Sequence, residues 1–147
     1  MVRDLNYKTD PVGIWELFVG EENKNIEVNP EYTYALWSDI LEKGAGKGFL
    51  LCDDTTGEIQ GWLTCMKCPS IWSGKVRAVE TSFFIRPQYR GGLGFVSLIK
   101  AFHDWAKKEG CAKTVLTHIV NSQSDKIAEL YKKMGYTLFE CDYERNL

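Results

Sequence analysis

Arg90-Gly91-Gly92-Leu93-Gly94-Phe95 is the stretch whose residue types and spacing are best suited to chemistry. It follows an apolar run, Phe83-Phe84-Ile85, that closes at Arg86-Pro87, and it precedes a long amphipathic segment. A glycine-rich turn between a strand and a helix gathers backbone N–H groups at the positive end of a helix dipole, here with a cation beside them. That is a way to hold a phosphate, and so to bind a phosphorylated cofactor. Glycine lets the backbone approach the anion closely. A sharp strand-to-helix turn would need glycine for its shape alone, and the turn by itself does not separate the two readings.

Other reactive side chains are sparse. Glu80 is the only acid in the run from Lys75 to Ile85, and it alternates with Ser82 and Phe84 on one strand face, opposite Val79, Thr81 and Phe83. A carboxylate there is costly unless it meets water or a partner, and burial would raise its pKa toward that of a useful proton acceptor. The bland alternative is a solvated or structurally paired carboxylate. His118 alternates with Leu116 and Val120 and reads as a half-buried strand residue. His103 falls on the charged face of a helix and reads as solvated. Cys65-Met66-Lys67-Cys68 is a CxxC, but no second pair or spaced histidines accompany it, and it ends a strand instead of opening a helix. Strand packing is the simpler reading, and no metal site is expected. Gly44-Ala45-Gly46-Lys47-Gly48 imitates part of a P-loop, yet Leu41 stands where its first glycine belongs and Gly48 replaces the Ser/Thr. It reads as a helix stop and a turn.

The elements that must position these residues follow from periodicity. The chain has 147 residues, 44% apolar and 26% charged, which suits a single domain spanning residues 1–147. A net charge of −2 argues against electrostatic nucleic-acid binding. No apolar run approaches the roughly 20 residues that span a bilayer. No apolar signal segment follows Met1, and an odd count of five cysteines suggests free thiols, so a cytoplasmic protein is expected.

Val2 to Tyr7 reads as a short strand. Asp10-Pro11 opens a helix carrying Ile14, Trp15, Phe18 and Val19, and Asn29-Pro30 opens another carrying Tyr34, Leu36, Trp37, Ile40 and Leu41, stopped by Gly44. Gly48–Cys52 and Ile59–Met66 read as a hairpin around Asp54-Thr55-Thr56-Gly57, and Lys75–Ile85 as a third, longer strand. Phe95, Leu98, Ile99, Phe102, Trp105 and Ala106 line the buried face of the next helix, which Gly110 closes. Thr114–Val120 reads as a strand. Ser122-Gln123-Ser124-Asp125 starts a helix whose Ile127, Leu130, Tyr131 and Met134 share a face, with Gly135 as its left-handed stop. Tyr136–Tyr143 reads as a last strand. The order β-α-α-β-β-β-α-β-α-β implies an α/β (α+β) fold, a mixed and mostly antiparallel sheet with helices on both faces.

Two motifs in that order carry a resemblance. Phe84-Ile85-Arg86-Pro87-Gln88-Tyr89-Arg90-Gly91 resembles the strand-Val-x-Pro-x-x-Arg-Gly element of the GNAT superfamily of N-acetyltransferases, and Leu130-Tyr131-Lys132-Lys133-Met134-Gly135-Tyr136 resembles its Leu-Tyr-x-x-x-Gly-Phe element. The resemblance is strongest from Ala78 to Tyr136 and extends over the whole chain as element order. It departs in the glycine turn. Counted from Arg90, the family's two small-residue positions fall on Leu93 and Phe95, whereas Gly92 and Gly94 fit a count from Tyr89. Ser124 stands where the family often has Asn, and Asn121 lies three residues before it.

The resemblance implies a sheet of six to seven strands and transfer of an acetyl group from acetyl-CoA to a primary amine by direct attack on the thioester. It implies a pyrophosphate site at Arg90, Gly91, Gly92, Leu93, Gly94 and Phe95, a pantetheine arm along the backbone of Phe83, Phe84 and Ile85, and a further cofactor contact at Ser124. A strand N–H would polarise the thioester carbonyl. Glu80 would take the amine proton, directly or through water, and Tyr131 would protonate the departing thiolate. The acceptor would be a small-molecule amine or a peptide or protein amine. Trp15, Trp37, Trp62 and Trp72 would form either its wall or plain core, and Glu21-Glu22 would attract a cation or simply be a solvated loop. A homodimer is left open. A CoA-binding sensor or interaction module of the same fold, weak in catalysis, is the alternative.

Overall fold

The computed structural model describes residues 1–10, 27, 29–118, 123–143 and 145. The expected first helix, with Trp15 and Glu21-Glu22, therefore lies outside the described residues, as do Val120, Asn121 and Ser122. The chain divides into two compact units, Met1–Leu116 and Thr117–Leu147.

The first unit is built on a five-stranded sheet in the order β1-β2-β3-β4-β5. Its strands are β1 (Val2–Asp4), β2 (Gly46–Cys52), β3 (Ile59–Pro69), β4 (Val76–Ile85) and β5 (Lys113–Val115). Neighbours are antiparallel except β4 and β5, which are parallel. The β2–β3 turn is held by Asp53, whose Oδ1 accepts the amides of Thr55 at 2.9 Å and Thr56 at 2.8 Å. β3 runs three residues past the expected stop at Met66. Lys67 looks like a strand end in sequence, but its ammonium reaches out to Glu109 at 2.8 Å while its backbone N–H pairs with Ala45 C=O at 2.7 Å. β2 likewise begins at Gly46, so part of the P-loop imitation is strand.

Helix α1 (Pro30–Glu42) starts as expected, with Asn29 Oδ1 accepting Tyr32 N–H at 3.1 Å and proline at the first position. It buries Trp37 and Ile40, but Tyr34 and Leu36, expected on the same face, are exposed. Helix α2 (Gly94–Lys108) buries Leu98, Ile99, Phe102 and Ala106 as its periodicity requires. The two helices lie on opposite faces of the sheet. Ile40 meets the backbone at Gly46 and Leu51 meets Gly94, and strand alternation points positions 46 and 51 to opposite sides. Leu50, Cys52, Trp62 and Phe84 form a compact cluster, with Leu5 and Ile59 packed against it. Among the described residues, no helix is long and apolar enough to cross a membrane.

At the start of the chain, Arg3 donates to both carboxylate oxygens of Asp10, at 2.9 and 2.6 Å. These bonds hold the Asp10 carboxyl below its ordinary pKa. A depressed folded pKa gives stability above the unfolded value of about 4 that is lost as pH falls through the folded one. Asp10→Asn is therefore expected to lower the urea midpoint at pH 7, with the gap to wild type closing as pH drops below about 4.

In the second unit, helix α3 (Ser124–Lys133) ends at Gly135, with φ +87° and its N–H on Lys132 C=O at 2.9 Å. Tyr131 is buried and Ile127 and Met134 are half-buried, but Leu130, expected beside them, is exposed. The expected strand Tyr136–Tyr143 does not form, and Leu138, Phe139 and Tyr143 stand in solvent. The described residues thus hold five strands, not six or seven. β-branched and aromatic content makes a strand only where a ladder partner and a buried face exist, and residues 137–143 are exposed, with no strand ladder among the described residues.

Candidate active site

The glycine turn is placed as its sequence suggests, at the end of β4 and the start of α2. A short 3-10 turn, Pro87–Tyr89, leads into it. Glu58 clamps that turn, taking the Arg86 guanidinium at 2.8 Å and the Tyr89 hydroxyl at 2.9 Å. Arg90 Nε donates to Ile85 C=O at 2.8 Å, and its guanidinium lies 5.6 Å over the Phe84 ring. Arg90 thus ties the turn to the strand end.

The glycines serve different ends. Gly91 has φ +86°, which favours glycine. Gly94 is the first helical residue, and a Cβ there would lie 2.4 Å from Leu51 Cδ2, so its absence lets α2 sit close on the sheet. Gly92 has neither constraint, since a Cβ there would meet open space. The first turn of α2 has no side-chain cap, and a helix offers no internal acceptor to its leading N–H groups. Phe95 stacks on Phe83 with ring centroids 5.0 Å apart, fixing this first turn over β4. A backbone cradle with an open position at Gly92 fits a phosphate-bearing ligand.

Next to the turn, β4 has an edge that is open among the described strands. Its ladder with β5 covers only Arg77 to Val79, and β5 ends at Val115, so Leu116, Thr117 and His118, expected in the same strand, lie past its end, while the expected end at Val120 lies outside the described residues. From Glu80 to Ile85, β4 pairs with β3 alone among the described strands. Arg86 N–H donates to Gln60 C=O at 2.9 Å. Antiparallel alternation then turns the peptide groups of Phe84 and Ser82 toward β3 and those of Phe83 and Ile85 outward. This refines the backbone contacts expected from Phe83 to Ile85: Phe83 and Ile85 face the edge, whereas Phe84 offers its ring to the core.

A β-bulge interrupts β4. Thr64 pairs with Ser82 while the next β3 residue, Cys65, pairs with Glu80, leaving Thr81 as the extra residue. The bulge overturns the simple alternation read from sequence. Glu80 lies opposite Cys65, on the face that carries Lys67 and α2, whereas Ser82 lies with Thr64 and Trp62 on the other face. Glu80 is buried at 5% exposure. Cys65 Sγ–H donates to Lys47 C=O at 3.4 Å, and burial pushes its thiol pKa up. Nothing in the residue types foretells the bulge.

Ser124 is the half-buried first residue of α3. In the same unit the Tyr131 hydroxyl donates to Thr117 C=O at 2.9 Å, and its ring packs edge-on to His118 with centroids 6.1 Å apart. His118 lies beyond the end of β5 and not mid-strand. His103 is half-buried beside Phe102, and burial lowers its pKa, so it is not the solvated residue expected. Trp37 and Trp62 are core at 8% and 1% exposure, whereas Trp72 is 88% exposed in the β3–β4 loop. Neither Trp37 nor Trp62 offers a broad wall to an acceptor.

Comparison with known proteins gives consistent results. The model of the acetyltransferase (GNAT) family matches residues 12–136. A comparison with curated protein sequences finds no significant match. Among solved structures, an acetyltransferase from Trypanosoma brucei is 20% identical, with a TM-score of 0.74 over 100% of this chain and 99% of that one. A glucosamine-6-phosphate N-acetyltransferase from Arabidopsis thaliana is 18% identical, with a TM-score of 0.77 over 99% of this chain and 97% of the other. A ribosomal-protein-alanine N-acetyltransferase from Brucella melitensis biovar Abortus 2308 is 14% identical, with a TM-score of 0.72 over 100% and 99%. At these identities the structural likeness establishes the fold alone.

Proposed function

The chain belongs to the acetyltransferase (GNAT) family, and on that premise we propose that it transfers an acetyl group from acetyl-CoA to a primary amine. The observation that supports this most is the β4 edge from Glu80 to Ile85, unpaired among the described strands and running directly into the glycine turn. An extended chain with amide groups can add to the N–H and C=O of Phe83 and to the N–H of Ile85 much as a further strand would, the Ile85 C=O being held by Arg90. A pyrophosphate at its end then meets the backbone of Gly91 to Phe95 and the positive end of α2. Acetyl-CoA is a substrate with these two parts in this order.

In the transfer, the amine nitrogen bonds to the acyl carbon and the carbon–sulfur bond breaks. The amine proton passes to Glu80. Because Glu80 is buried on the α2 side of the bulge, we assign it a water-relayed role. From the motif alone, Tyr131 is assigned the proton that neutralises the thiolate. Solvent restores that proton. Arg90 holds the end of β4 in place and supplies positive charge near the pyrophosphate.

Gly92→Ala tests the cradle without disturbing the fold, because the new methyl group has room. It is expected to weaken acetyl-CoA binding by roughly 10-fold or more with an unchanged melting temperature, read by calorimetry and thermal unfolding. Thiol release from acetyl-CoA, followed against a panel of small amines, peptides and amino sugars, tests transfer itself. Amine-dependent release is the expected result. Tight binding with no release across the panel would favour a CoA-binding module instead.

A further inference from the structure

The bulge in β4 carries a feature that the transfer described above does not use. Trp62 Nε1–H donates to Ser82 Oγ at 3.1 Å, Ser82 Oγ lies 2.6 Å from Thr64 Oγ1, and Thr64 Oγ1 lies 2.9 Å from Thr81 Oγ1. Trp62, Thr64 and Ser82 are buried, whereas Thr81 is exposed. The direction of this chain is set by its inner end. An indole N–H can only donate, so Ser82 accepts from Trp62. A buried Ser82 hydroxyl proton left without an acceptor would be costly, so Ser82 donates to Thr64. Thr64 in turn donates to Thr81. The Thr81 hydroxyl proton is left to point outward.

Two consequences follow from that polarity. The chain cannot carry a proton inward, because the indole at its end accepts none, so it is not the base. It is instead a donor, strengthened because each hydroxyl in the series is polarised by the one before it. A ligand group that accepts one hydrogen bond, such as a carbonyl oxygen, suits it.

Position selects which carbonyl. An arm anchored at the glycine turn and lying along β4 runs from Ile85 toward lower residue numbers. If its last amide pairs at Phe83, the linker from that nitrogen to the acyl carbon spans roughly 5–6 Å. Two strand residues span about 6.6 Å, which brings the acyl group to Thr81. We propose that the Thr81 hydroxyl donates to the acyl oxygen of the bound thioester and that Thr64 and Ser82 hold it there. This rests on the reading of the β4 edge as the seat of acetyl-CoA. It adds a side-chain donor where negative charge develops during attack.

The test is isotope-edited infrared spectroscopy of carbonyl-labelled acetyl-CoA bound to wild type, Thr81→Val, Thr81→Ser and Ser82→Ala, with calorimetry on each. It needs no known acceptor. Wild type is expected to lower the carbonyl frequency relative to free acetyl-CoA. Thr81→Val should lose much of that shift, Thr81→Ser should keep it, and Ser82→Ala should fall between them. Acetyl-CoA affinity of Thr81→Val should stay within about threefold, while turnover with any amine that wild type accepts falls roughly 10- to 100-fold. A Thr81→Val complex with the wild-type carbonyl frequency overturns the proposal and leaves the transfer reading intact. Failure of wild type to bind acetyl-CoA removes both, and calorimetry identifies that case by itself.

Discussion

Tyr131→Phe is expected to lower amine acetylation about 100-fold while acetyl-CoA affinity stays within about twofold. The argument begins with the leaving group. The CoA thiol resembles a cysteine, with an unperturbed pKa near 8.5 against about 10 for tyrosine. A neutral tyrosine hydroxyl can therefore protonate or stabilise the thiolate at neutral pH. The substitution is clean because the ring is what packs. Tyr131 is 8% exposed, edge-on to His118 at 6.1 Å and tilted against Tyr136 at 5.8 Å. Phenylalanine keeps those contacts and loses the bond to Thr117 C=O, a change of about 1 kcal/mol in stability. Turnover and affinity falling together would instead make Tyr131 a binding or structural residue.

Gly61→Ala is expected to have the largest effect on the fold and, through it, on the site. A Cβ at Gly61 would lie 2.6 Å from Phe84 C=O and 3.1 Å from Ile85 Cα. Both are backbone atoms of β4, so no side chain can swing aside. The strand must move at the point where Ile85 C=O meets Arg90 and where Phe83 and Ile85 form the open edge. Overpacking of this kind costs about 2–3 kcal/mol, which corresponds to a melting temperature lower by roughly 5–10 °C. Acetyl-CoA binding should weaken as well. The contrast with Gly92→Ala is informative, since that change should weaken binding with no loss of stability. A Gly61→Ala protein as stable as wild type would contradict the close β3–β4 approach.

These effects separate what sequence conveys from what it conceals. Asn29-Pro30, Gly44, Gly110 and Gly135 announce helix ends because capping and left-handed stops are local chemistry. The face Leu98-Ile99-Phe102-Ala106 is legible because burial against one sheet imposes a helical period. The glycine turn was legible as a unit but not residue by residue. Gly91 answers to its own dihedral, and Gly94 answers to Leu51, more than forty residues earlier in the chain. The bulge at Thr81 depends on how two strands pair, and a single strand's alternation cannot reveal it. That is why simple alternation puts Glu80 on the face of Ser82 and Phe84, whereas the paired strands put it opposite Cys65. The end of β5 at Val115 and the lack of a strand at Tyr136–Tyr143 among the described residues have the same origin, since alternation along one segment does not say which partner strand it will pair with.

The central claim is that acetyl-CoA adds to the outward peptide groups of Phe83 and Ile85. It is tested most directly by residue-resolved amide hydrogen exchange with and without millimolar CoA. Slowed exchange at Phe83 and Ile85, together with amides of the Gly91–Phe95 turn, is the predicted result. Unchanged exchange at Phe83 and Ile85 in the presence of saturating CoA would contradict it.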